Sequence, residues 1–385
     1  MLIHMAAHHN YIDICRILLD NEAQIDARDD DHFTPLHIAI NKKYLNLAEF
    51  LIERGSDLKP KDIEGNTSLH LASIKTNVSF IKFLIKYGSE VNSLNKYNKN
   101  PLYYAFLHKK LDIALVLIRN GSIINDYYVE TKSILEIAIQ CDKIELCSEI
   151  LDRNMNLLNI CNDDHKNKKS PLQIAFDALH FDICVLLITR GADLSVVKIE
   201  SPSSYSSSSS SSLPPLPSFF LNFTPLHLAA NYNHIPLCNI LISHNFNPNA
   251  VAYDMYTPLY LAVSNGYTDL TKLLIDHGAK INDRVYVKQP LLHMSIEKEF
   301  FDITNILIDH GSVKTQKNYF RDSPLHYAAC KGNEPLVLTL LEPGGCPVDI
   351  SGNNDDTPLF IAIDNGFISI ASLLIQKGQL FKFFL

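Results

Sequence analysis

The chain has 385 residues, with 34 basic against 42 acidic side chains and a net charge of −8. An acidic balance argues against nucleic acid or an anionic membrane as partner, because both call for a basic face. No apolar run approaches the roughly 20 residues of a membrane span. The opening Met1-Leu2-Ile3-His4-Met5-Ala6-Ala7 also lacks the charged start and longer apolar stretch of a secretory signal. An intracellular protein is expected, cytoplasmic with the nucleus also open.

From the N-terminus, Met1-Leu2-Ile3-His4 is a degenerate copy of a tetrad that stands in full at Thr34-Pro35-Leu36-His37. Thr67-Ser68-Leu69-His70, Asn100-Pro101-Leu102-Tyr103 and Ser133-Ile134-Leu135-Glu136 follow at intervals of 33. Ser170-Pro171-Leu172, Thr224-Pro225-Leu226-His227 and Thr257-Pro258-Leu259 come next. Pro290-Leu291-Leu292-His293, Ser323-Pro324-Leu325-His326 and Thr357-Pro358-Leu359 complete eleven copies. In each, the first residue reads as a helix N-cap and a proline after it as the first helical residue, where no amide proton is needed. Five positions after the cap the residue is Ala, or Ser295 in one copy, small enough for neighbouring helices to approach closely. A second helix follows, with apolar pairs such as Leu47 and Leu51, or Ile303 and Leu307, marking one buried face.

Gly55, Gly88, Gly121, Gly191, Gly278, Gly311, Gly344 and Gly378 lie 21 residues after their caps and read as helix stops. Asn154 and Asn245 fill the same slot, whereas Glu22 in the first copy suggests an irregular end. Two intervals are much longer. From Ser133 to Ser170 is 37 residues, with the surplus in a charged turn at 162–169, and from Ser170 to Thr224 is 54. The second surplus holds an unbroken serine run from Ser206 to Ser212, a composition that cannot bury enough apolar surface to order itself. Pro214 and Pro217 satisfy P-x-x-P there, but without a flanking arginine they read as a spacer. The copy that starts at Ser133 departs furthest from the pattern and is expected to be the weakest.

A period of 33 carrying T-P-L-H-x-A resembles the ankyrin repeat, and the resemblance extends over nearly the whole chain. It implies an all-α repeat solenoid of eleven stacked helix-turn-helix units with β-hairpin-like finger loops. Repeats 1–6 would occupy residues 1–199 and repeats 7–11 residues 222–385. Between them, 200–221 would be a Ser/Pro-rich disordered insertion in a finger loop. Because long surface insertions carry little thermodynamic cost, the stack is expected to continue across it.

The chain shows no Walker loop, no G-x-S-x-G, no H-E-x-x-H and no dinucleotide fingerprint, so it reads as non-enzymatic, with no cofactor. Cys15, Cys147, Cys184 and Cys238 fall 14 residues after their caps, a small packing position, and no C-x-x-C pair suggests zinc. His4, His8 and His9 lack a carboxylate or thiol to complete a metal site, and the tetrad histidines read as hydrogen-bonding groups at helix starts.

What the resemblance implies is a protein–protein interaction scaffold that binds a protein or peptide on a concave face of fingers and first helices. The competing reading is a regulatory or substrate-recruiting arm of a larger enzyme of the kinase or ubiquitin ligase type. The start at a cap and the apolar end Leu380-Phe381-Lys382-Phe383-Phe384-Leu385 suggest a piece of a longer polypeptide, or a tail folded back on the last copy. Family geometry places the contact residues before each cap, at Tyr253, Tyr256, Tyr286, Tyr319 and Phe320. It adds the exposed helix ends at Asn231, Tyr232, Asn265, Glu297 and Lys331. Asp29, Asp30 and Asp31 are expected to form an acidic tip, and Lys96, Tyr97 and Lys99 a basic one. Some finger aromatics would instead serve packing, since tyrosines also stabilise hairpins.

Overall fold

The computed structural model describes residues 2–124, 128–129, 132–161, 169–198, 222–252, 255–282 and 289–382, the side chains of 128 and 379–382 excepted. Within them stand 22 α-helices, short 3-10 turns and one two-stranded antiparallel ladder, Tyr128–Val129 against Lys132–Ser133. The chain forms two compact units, Met1–Val196 and Val197–Leu385. Each is a stack of helix pairs in which successive first helices pack side by side and each second helix lies against its own first. The insertion at 200–221 is outside the described residues, and so is the expected continuity of the stack.

First helices begin as the tetrad dictates. Thr34 is extended at φ −84°, ψ 165°, and its side chain accepts from the His37 amide at 3.3 Å. His37 Nδ1 in turn accepts from the Thr34 amide at 3.2 Å. This reciprocal box recurs at Thr67 and His70, at Thr224 and His227, and at Ser323 and His326. Asn100, Ser170, Thr257 and Thr357 cap with their side chains on the amide three residues later. Each such cap is worth about 1 kcal/mol. Pro290 has no side-chain acceptor, so the helix Leu291–Glu297 starts without a cap bond.

The core follows the small-residue rule. Ala39, Ala72, Ala105, Ala138, Ala262 and Ala328 are fully buried where first helices meet their neighbours. Ser295, the exception, is buried without loss of hydrogen bonding. Its hydroxyl donates to the Leu292 carbonyl at 3.0 Å and accepts from Thr304 Oγ1 at 2.9 Å. Thr304 occupies the slot that Cys15, Cys147, Cys184 and Cys238 fill in other copies, all four of them buried, so one polar pair replaces an apolar one.

Helix exits differ from expectation in four places. Gly55, Gly88, Gly121, Gly191, Gly278 and Gly311 take the left-handed conformation, and so does Asn245 at φ 64°. Glu22, expected to be irregular, adopts the same turn at φ 67°, because the exposed site leaves its side chain free of clashes. Asn154 does not: it is extended at φ −151°, ψ 92°, and leads straight into a 3-10 helix at Met155–Asn159. Gly378 is no stop either, since the last helix runs unbroken through it from Ile368 to Lys382. Finally, Ser323 to Thr357 is 34 residues, and the extra one sits in the turn after Glu334–Leu340. There the Cys346 amide reaches the Leu340 carbonyl at 2.8 Å, as Ser312 reaches Leu307 at 2.9 Å without the added residue.

The described fingers are mostly tight turns. In the first three, the Asp29, Asp62 and Asn95 amides donate to Phe33, Asn66 and Lys99 carbonyls at 3.0 to 3.1 Å. Their side-chain oxygens then accept from amides across the loop. Adjacent fingers join through Ile63 N to Asp31 O and Lys96 N to Glu64 O, both 3.0 Å. Gly65 makes the second joint possible. It sits at φ +83°, and a Cβ there would stand 2.8 Å from the Lys96 amide nitrogen. Gly65→Ala is therefore expected to cost about 2 kcal/mol, from left-handed strain plus a pushed-off finger. Urea denaturation measures it, and an unchanged midpoint would mean that the finger joint contributes nothing.

Candidate protein-interaction face

In the second unit the first helices end in register, so Asn231, Tyr232, Asn265, Glu297 and Lys331 line one edge of four successive copies. Tyr232, Asn265, Glu297 and Lys331 are exposed. Asn231 is half-buried, and its carbonyl accepts from the Tyr267 hydroxyl at 3.3 Å. Lys331 Nζ lies 3.0 Å from Glu299 Oε1, an ion pair across neighbouring copies. On the fingers, Tyr319 is 81% exposed and Phe320 57%. Their rings meet edge to face at 5.5 Å. Tyr256 is of the other kind. Its ring stacks on Tyr260 at 4.8 Å, and its carbonyl accepts from His227 Nε2 at 3.0 Å. That residue is tied into packing. Tyr253 and Tyr286 lie outside the described residues.

The first unit presents a groove that the sequence reading passes over. Arg28, His32, Lys61, Ile63 and Lys96, with Gly65, Leu94 and the Asp62 and Asn95 turns, line an open space of about 390 Å³ between fingers. The available signal was register: Arg28 and Lys61 are 33 residues apart, each six before a cap. The acidic tip is weaker than expected. Asp29 Oδ1 is turned inward, accepting from the Asp31 and Phe33 amides at 3.1 and 2.8 Å. At the other tip Lys99 Nζ lies over the Tyr103 ring, 4.4 Å from its centroid.

The histidines belong to the architecture. His37, His70, His227 and His326 serve the cap through Nδ1, and several of the tetrad rings, His37 excepted, reach the following finger through Nε2. His70 bonds the Lys99 carbonyl at 3.0 Å, His293 that of Asp322 at 2.8 Å, and His326 that of Asp356 at 3.2 Å. At His70, His227 and His326 an amide donor on Nδ1 and a carbonyl acceptor opposite Nε2 require the neutral ring protonated on Nε2. Burial lowers His37, His70, His227 and His293 from 6.5 to about 4. His4 turns inward onto the Ala27 and Phe33 carbonyls at 3.0 and 3.1 Å, away from His8 and His9. Among the described residues no three His, Cys, Asp or Glu side chains gather as a metal site. Burial also pushes the Cys147 and Cys238 thiols up to about 12, the opposite of what a nucleophile needs. No described helix is long and apolar enough to cross a membrane.

Stacked helix pairs with in-register caps, histidine links and projecting fingers define a repeat solenoid. Residues 1–62, 55–128, 214–285 and 292–382 match the family model for ankyrin repeats (three copies), and the chain belongs to the ankyrin-repeat family. Ankyrin repeats generally mediate protein–protein interaction, and their domains are typically non-catalytic. No curated protein matches the chain.

Proposed function

We propose that this protein is a non-enzymatic scaffold that holds a protein or peptide partner on the fingers and first-helix ends of its second unit. The observation that carries this reading is the Tyr319 and Phe320 pair. Two large rings project to solvent from one finger, beside a row of polar helix ends. Aromatic side chains with polar neighbours are the composition of interface hot spots, where truncation of an anchor costs 2 kcal/mol or more by the order of magnitude typical of such sites.

The test replaces Tyr253, Tyr286 and Tyr319 together by Ser, with Phe320→Ser as a separate variant. Partners captured from lysate by the wild-type chain are expected to be lost from the triple variant while its melting curve stays unchanged. Retained capture, or a collapsed fold, would place these rings in packing and move the binding face elsewhere.

A further inference from the structure

In the first unit, the turns between the two helices of a copy carry a charge pattern that the second unit lacks. Lys42, Lys75 and His108 stand eight residues after their caps in three consecutive copies. Lys43 and Lys109 follow at the next register, and Lys110 at the one after. All are exposed except Lys75, which is half-buried. The three turns, 40–45, 73–78 and 106–111, contain no Asp or Glu, in a chain whose net charge is −8. In the next copy Asp142 enters the turn and the row ends. Second-unit turns mix the signs, as at Glu297, Lys298 and Glu299.

Among the described residues none pairs with any of these five lysines, whereas other bases of the same unit are neutralised. Arg119 meets Glu145 and Glu149 at 3.1 and 3.0 Å, and Lys143 meets Asp112 at 2.9 Å. One register before the row, Ile74 and Leu107 are half-buried aliphatic groups. Successive first helices pack side by side, about 10 Å apart, so the row runs roughly 20 Å. An extended chain rises about 3.3 Å per residue, so every third residue of such a chain meets a new copy. We propose that this edge binds an extended acidic segment of another protein, with carboxylates near every third position on the lysines and apolar side chains on Ile74 and Leu107. A protein segment fits better than nucleic acid or an anionic lipid surface. The row is narrow, aliphatic groups border it, and the overall charge of the chain repels dense polyanions. This site lies on the first unit and does not depend on the face assigned to the second.

The turn itself supplies a variant that removes charge and keeps the fold. Lys43 and Lys109 are left-handed at φ 65° and 53°, at a position that Gly266, Gly332 and Gly366 hold in other copies. Lys43→Gly combined with Lys109→Gly therefore keeps the turn; Lys42→Glu with Lys75→Glu is the second variant should the first unfold. The probe is a fluorescein-labelled peptide of about 12 residues, glutamate at every third position and leucine beside each, read by anisotropy against the same peptide with glutamine. The wild-type chain is expected to bind the glutamate peptide and not the glutamine one, more weakly as salt rises. Each double variant should bind about tenfold more weakly. Lys82→Glu with Lys86→Glu, exposed on the second helix Val78–Lys86, changes net charge as much as Lys42→Glu with Lys75→Glu and should leave binding unaltered. A wild-type chain that ignores the glutamate peptide, or an equal loss in the Lys82 and Lys86 variant, overturns the proposal. So does tighter binding of a single-stranded oligonucleotide or of phosphatidylserine vesicles, because either gives the row to a different class of partner.

Discussion

Between pH 6.5 and about pH 4 the melting temperature of this protein is expected to fall steeply, well before acid titrates most carboxylates. The unfolded chain binds a proton on each histidine near 6.5, whereas burial holds His37, His70, His227 and His293 at about 4 in the folded state. As pH drops below 6.5 the unfolded state binds more protons, so stability is present above 6.5 and is lost progressively down to about 4. Each pKa unit corresponds to about 1.4 kcal/mol, so each ring contributes on the order of 3 kcal/mol across the window. Protonating Nδ1 also removes the acceptor for the cap amide, as in His70 and Thr67, 3.1 Å apart. His70→Gln should therefore be less stable than wild type at pH 7.5 and lose less on acidification. A melting temperature that is flat from pH 7 to 5 would refute the neutral-ring assignment.

Leu84→Ala should lose about 2 to 5 kcal/mol, the range for a leucine truncated in a core that cannot collapse around the hole. Leu84 is fully buried in the second helix Val78–Lys86, with helix pairs on both sides. The stack supplies an internal control. Leu18 holds the same register in the first copy, where it is only partly buried. Leu18→Ala should cost roughly a third as much, because less surface is removed from contact. Equal losses in urea denaturation would show that position in the stack does not set the energy of a joint.

The stacking of this chain was legible because its signals are local and repeated. Thr34, Pro35 and His37 each satisfy a helix-start requirement without reference to distant residues, and Leu36 and Ala39 follow from one buried face. The misses share a cause: they depend on what a neighbour permits. Glu22 accepts a left-handed turn because the exposed site tolerates its side chain, and Gly378 stays helical because glycine allows a stop without enforcing one. Asn154 is extended because the chain turns at once into a 3-10 helix. The candidate face divides similarly. The row from Asn231 to Lys331 follows from register alone, but the sequence does not show that Tyr256 stacks on Tyr260 while Tyr319 projects to solvent. The groove at Arg28, Lys61 and Lys96 arises from adjacent loops, and no single copy displays it.

The histidine link from one copy to the next finger has a mechanical meaning. Where it is present, as from His70 to Lys99 or His326 to Asp356, two neighbouring copies are pinned at both a helix and a loop. Tyr103, Glu136 and Gln173 replace it in three consecutive copies of the first unit. In the first of these copies another residue makes the link, the Asn100 side-chain amide donating to the Ile123 carbonyl at 2.8 Å. A strut of this kind is directional where apolar contact is not, so each one fixes the register of one copy on the next. A pull on neighbouring copies so linked would load these hydrogen bonds in shear before the apolar contacts part, and the struts set how far one copy can slide on the next.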